Sequence, residues 1–112
     1  MNPDVIELLH DARAACLKIM ELVEGLTLDD YLGSELHRYS VNWNVVIVGE
    51  ALNVALNDED ELEALLPSAR KAIATRHRIA HGYRTIDDTV MWDIATNGIP
   101  LLLAEIEQVL PG

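Results

Sequence analysis

The sequence predicts an all-α fold, an up-and-down bundle of four main helices, and three observations carry that prediction. Apolar residues recur at spacings of three and four through most of the chain. No segment shows the strict alternation of a half-buried strand. Residue types that start and stop helices, such as Pro3, Thr27, Gly25 and Gly82, stand at the ends of the periodic segments. A length of 112 residues, half of them hydrophobic, suits a single domain spanning 1–112 with a modest core.

The first helix is expected over residues 3–24, where Val5, Leu8, Leu9, Ala12, Cys16, Ile19, Met20 and Val23 share a face. Asn2 can cap it, Pro3 suits its first position and Gly25 suits its exit. The second, long helix begins with Thr27 and Asp30 at capping-box spacing. It continues with Leu32, Leu36, Trp43, Ile47 and Val54 on a helical repeat. Asn57 to Glu63 is an acidic break, and "ELEALL" after it leaves room for one further short helix. Pro67 and Ser68 start the third helix, which should stop at His81 because Gly82 is the residue best able to enter the left-handed conformation after a helix. The fourth starts near Asp87 or Asp88, and Pro100 should kink it by removing one backbone donor.

Charge and cysteine count narrow the function. A net charge of −11 argues against coating nucleic acid by bulk electrostatics, so any contact with RNA or nucleotide must be local. Cys16 is the only cysteine, which excludes an internal disulfide, and its apolar neighbours suggest a core residue rather than a reactive thiol. The N-terminus lacks the pattern of a signal peptide and no run of about 20 apolar residues is present, so a cytoplasmic protein without membrane contact is expected.

Against that acidic background, five of the eight Lys and Arg residues fall between Arg70 and Arg84, around "TRHRIAHGY". Arg76 sits three or four positions from Ala72, Ile73, Ile79 and Ala80, on an apolar face where a charge needs a partner or a job. Glu50 in "VGEALNV" has the same oddity, and the pattern fits a Glu50–Arg76 ion pair as well as it fits a functional arginine. His81 ends the helix, where the dipole favours an imidazolium and the neighbouring Arg78 and Arg84 oppose it. A histidine to move a proton and an arginine to hold phosphate oxygens make a workable pair for phosphoryl chemistry. Five residues separate Arg76 from His81 by roughly 140° on an ideal helix, so one copy converges poorly and a two-fold dimer would supply a composite site.

Metal readings are weak. His77 and His81 have zinc-compatible spacing, but Arg78 follows His77 and three arginines surround the pair. Glu7 to His10 has the Glu-x-x-His spacing of di-iron bundles without the second copy such sites need. No cofactor is expected.

Arg76, His81 and Tyr83 read as R-x4-H-x-Y, which resembles the signature of HepT-like toxins of the HEPN superfamily. The likeness extends to the Gly49-Glu50-Ala51 step in the second helix and to "YRTIDDTVMWDIATNGIPLL" after the motif. It implies a HEPN-like helical homodimer acting as a metal-independent ribonuclease, with Arg76 and His81 catalytic at the dimer cleft. It implies an RNA substrate, cleaved to a 2′,3′-cyclic phosphate. Arg78, Arg84, His77 and Glu50 would support the site or contact phosphate. The resemblance also implies a MntA-like nucleotidyltransferase antitoxin that transfers AMP onto Tyr83. A second reading keeps fold and partner but not catalysis: a helical module that binds a nucleotidyltransferase or its substrate.

Overall fold

The computed structural model describes residues 1–111. Its helices follow from their ends. Helix α1 (Pro3–Val23) starts under Asn2, whose side chain accepts from the Asp4 N–H at 2.8 Å. It leaves through Gly25, whose φ of 76° places it in the left-handed region. Val5, Leu9, Ala12, Cys16 and Ile19 are its fully buried stripe, the face that periodicity picked out.

The expected long second helix is two. Helix α2 (Leu28–Leu32) carries the Thr27–Asp30 capping box. It closes at Gly33, whose N–H donates to the Asp29 carbonyl. Ser34 then takes an extended conformation and caps helix α3 (Glu35–Asp58), its hydroxyl accepting from the His37 N–H. Two consecutive cap residues inside one periodic segment caused the break.

The face of α3 also differs from expectation. Its buried residues include Val41, Val45, Val48, Leu52, Ala55 and Leu56, and the helix packs against α1. Leu36 and Trp43, expected on a core-facing repeat, are 74% and 64% exposed, and Leu32 also reaches solvent. Helix α3 is apolar on two faces, and only one can meet α1.

Helix α4 (Leu62–Leu65) is the further short helix, with Leu62 and Leu66 buried. Helix α5 (Ala69–His81) runs along α3. Ser68 stands at its start, yet its hydroxyl caps nothing; it donates to Glu105 at 2.6 Å, tying α5 to the last helix. Gly82 follows with φ −130°, outside the left-handed region. Glycine serves there because a Cβ would lie 3.0 Å from the Arg78 carbonyl oxygen.

After a single 3₁₀ turn (Tyr83–Thr85), Asp87 caps helix α6 (Asp88–Asp93) by accepting from the Thr89 and Val90 N–H groups. A π turn (Ile94–Gly98) leads directly into helix α7 (Ile99–Val109). Pro100 lies in the first turn of α7, so its missing N–H and its ring are met by one widened turn, with the Ile99 N–H bonded to the Ile94 carbonyl. Helix α7 packs along α1, and Arg13 pairs with Glu107 at 3.1 Å. No strand occurs among the described residues, and no helix there is long and apolar enough to cross a membrane.

Two ionisable groups lie in the core. Burial pushes the Cys16 thiol from 9.0 up to about 12, which makes it an inert filler at neutral pH. The Tyr31 phenol, packed at 5.2 Å against the Trp92 ring, rises from 10.0 to about 12, chiefly by burial and then by the Asp88 charge. The fold keeps both protonated where the unfolded chain would ionise them. Their contribution is therefore complete below about pH 9 and is lost as pH rises toward 12. Urea midpoints should fall steadily above about pH 9, and the fall should be shallower in a Cys16→Ala, Tyr31→Phe double variant. An equal fall in both proteins would show that these burials do not govern alkaline stability.

Candidate active site

The site is built on α5 and on the helix that carries it. Gly49 of α3 faces α5 so closely that a Cβ there would lie 2.9 Å from the Ala72 carbonyl oxygen and closer still to the Arg76 Cβ. The absence of a side chain lets the two helices meet at backbone distance and lays Arg76 across the seam. Glu50, the next residue, meets it there: Arg76 Nη2 stands 3.3 Å from Glu50 Oε2. Ala51 completes the step by burying its methyl in the core. Each residue of Gly49-Glu50-Ala51 thus has a separate task of spacing, pairing or packing.

The ion pair anticipated from sequence exists, and it lies partly open to solvent. Its Glu50 side chain is 53% exposed, and an ion pair so open to solvent contributes at most about 1 kcal/mol. The Arg76 side chain is only 31% exposed, and its Nε is buried without any hydrogen-bond partner among the described residues. An orphaned buried donor costs about 1 to 3 kcal/mol.

His81 is the last residue of α5, exposed, with its ring tilted against that of His77 at a centroid distance of 4.6 Å. The spacing of four that suggested a zinc pair is thus filled by ring contact. Among the described residues no cluster of three or more His, Cys, Asp or Glu is placed to hold a metal ion. Helix α5 is unbroken from Ala69 to His81, so the roughly 140° between Arg76 and His81 persists. Arg76 meets α3 while His81 faces solvent, and no hydrogen bond joins them.

Tyr83 projects from the 3₁₀ turn, 71% exposed, two residues beyond His81. Thr85 stiffens that turn by donating to the Gly82 carbonyl at 3.1 Å. Arg78 and Arg84 are exposed, and neither forms an ion pair among the described residues.

Two features escaped sequence reasoning. Leu36, Tyr39 and Trp43 form an exposed stripe on α3, and the step of seven from Leu36 to Trp43 and from Trp43 to Glu50 puts it on the face that holds Arg76. An open depression of about 580 Å³ lies beside it, between Trp43, Ile47 and Glu50 and residues of α1 such as Leu8. The spacing carries this signal, but apolar residues at that spacing fit a core face equally well.

These features define an all-helical protein with Arg76, His81 and Tyr83 on and just beyond one helix, α5. The chain belongs to the HepT-like ribonuclease family: the model of the family described as "Ribonuclease HepT-like" matches residues 12–109. It is similar to the Methanocaldococcus jannaschii protein MJ1380, which carries a provisional RNase name. That pair is 26% identical over 106 residues, covering 95% of this chain and 96% of the relative. A Thermococcus cleftensis protein named "Probable ribonuclease HepT" is 27% identical over 101 residues, 90% of this chain and 91% of that one. No solved structure matches the chain.

Proposed function

We propose that the chain is the ribonuclease toxin of a toxin–antitoxin pair, cleaving RNA without a metal at a site shared by two copies. The observation that supports this most is the half-buried Arg76, paired only with a solvent-exposed Glu50, on a face continued by exposed Leu36, Tyr39 and Trp43. An apolar stripe of this size suits a second copy better than water. Two-fold symmetry would then supply each Arg76 with a His81 that its own helix directs elsewhere.

In the reaction, one His81 imidazole takes the proton from a ribose 2′-hydroxyl, and that oxygen attacks the adjacent phosphorus. Arg76 holds the equatorial oxygens as negative charge develops. The bond to the 5′-oxygen breaks, and the same His81 imidazole, now protonated, returns the proton to it. The products are a 2′,3′-cyclic phosphate and a 5′-hydroxyl.

Light scattering behind size exclusion tests the assembly. The wild type should run as a dimer at micromolar concentration and Trp43→Glu as a monomer. A monomeric wild type would remove the shared site.

Regulation follows from the placement of Tyr83. A phenol this exposed, two residues from His81, can accept an AMP group whose bulk and charge would then obstruct the cleft. Co-expression with a MntA-like nucleotidyltransferase antitoxin and ATP should add one AMP mass per chain, mapped to Tyr83. Tyr83→Phe should keep its nuclease activity and escape neutralisation. Full inhibition of wild type without added mass would mean that the antitoxin acts by binding alone.

A further inference from the structure

The side of α5 turned away from His77 carries a second feature. Lys71, Thr75, Arg78 and Gly82 recur at steps of three and four, and together they form one wall of a cavity of about 330 Å³. Ile86, Val90 and Met91, from the turn and helix that follow, form much of its apolar lining with Ile79 and Ile94. Gly82, the single residue between His81 and Tyr83, belongs to its rim. The cavity therefore begins where the candidate active site ends.

Size and charge select the occupant. A volume of about 330 Å³ lies at the small end of ligand sites, too small for a partner helix and suited to one small ring system with a substituent. Lys71 and Arg78 are two of only eight cations in a chain of net charge −11, and neither is in an ion pair among the described residues. The opposing carboxylate, Asp87, already accepts from the Thr89 and Val90 N–H groups and retains lone pairs for an amine donor. An anion between two cations, a planar apolar ring on the lining and an exocyclic amine at Asp87 is the pattern of a nucleotide.

We infer that this cavity seats one nucleotide of the RNA strand next to the cleaved phosphate, its own phosphate held between Lys71 and Arg78 and its base against Val90 and Met91. The inference rests on the ribonuclease reading and adds a subsite to it. The strand would pass over Gly82, where a side chain would narrow the passage.

The test uses a His81→Ala protein in EDTA, so that RNA is not consumed, and the anisotropy of a fluorescein-labelled pentaribonucleotide. Lys71→Glu with Arg78→Glu should weaken binding by about tenfold or more, from loss of two charged contacts. Val90→Trp, at a half-exposed position of the lining, fills the cavity without changing charge and should weaken it comparably. In otherwise wild-type protein the same cavity changes should raise KM and leave kcat nearly unchanged. AMP and UMP, titrated while methyl NMR signals of Ile86 and Met91 are followed, should bind far more weakly than the pentamer.

If charge reversal weakens binding and Val90→Trp does not, the cations act only as surface charge and the subsite is refuted. If wild type cleaves RNA and both cavity variants keep its KM, the subsite fails while the ribonuclease reading stands. Mononucleotide shifts without any RNA binding or cleavage would overturn the assignment to RNA, and the ribonuclease reading with it.

Discussion

Replacing His81 by alanine should lower RNA cleavage by two to four orders of magnitude, the usual contribution of a positioned acid–base group, with the fold untouched. His81 is exposed at a helix end and its one ring contact is with His77, so little packing is lost. Arg76→Ala should cut cleavage by a similar factor if, as proposed, its donors meet the developing charge. Arg76→Lys should not restore activity, because a lysine cannot reproduce the planar fork. Both variants require a stability check: Arg76 lies across the α3–α5 seam, whereas His81 does not. An Arg76→Ala protein that unfolds, beside a His81→Ala protein that cleaves normally, would make Arg76 structural and end the catalytic assignment.

The second large effect is at Gly49, and its sign is the informative part. On an open helix surface, Gly→Ala stabilises by about 0.5 to 1 kcal/mol through backbone entropy. Here the new methyl would stand 2.9 Å from the Ala72 carbonyl oxygen and closer to the Arg76 Cβ, both fixed to the α5 backbone. Helix α5 must move away, so Gly49→Ala should instead destabilise by about 1 to 3 kcal/mol, and Gly49→Val by more. Activity should drop with it, because the displaced helix carries both Arg76 and His81. Thermal melts read the outcome, and a stabilised Gly49→Ala would show that the seam is not this close in solution.

Much of this architecture was written in local chemistry. The caps at Asn2, Thr27 and Asp87, the exit at Gly25 and the end of α5 at His81 are short-range features, and each stands where the residue types placed it. What depended on distant contacts was less legible. The Val41 and Trp43 faces of α3 are both apolar and helically spaced, and only packing on α1 shows that the first is core and the second open. Gly82 was recognisable as a stop, but its reason is close approach to the Arg78 carbonyl, which needs coordinates to see.

The candidate site divides the same way. That Arg76 and Glu50 would meet followed from two charges on two apolar faces, and they do. That the pair leaves Nε buried and unpartnered could not be read from spacing, nor could the task of Gly49 in bringing the helices together. The cavity behind Arg78 joins α5 to the turn and helix after it, a juxtaposition set by the path of the chain beyond Gly82.

If one active site draws on two copies of the chain, mixed dimers show it most directly. Arg76→Ala and His81→Ala subunits, co-expressed under two different tags and purified through both, give dimers with one intact arginine and one intact histidine on opposite subunits. Each parental variant should be nearly inactive in EDTA. The mixed dimer should regain about half of wild-type cleavage, one shared site of two, because Arg76 of one copy serves His81 of the other. A mixed dimer as inactive as its parents, beside an active wild type, would place both residues of a working pair on one chain and contradict the shared site.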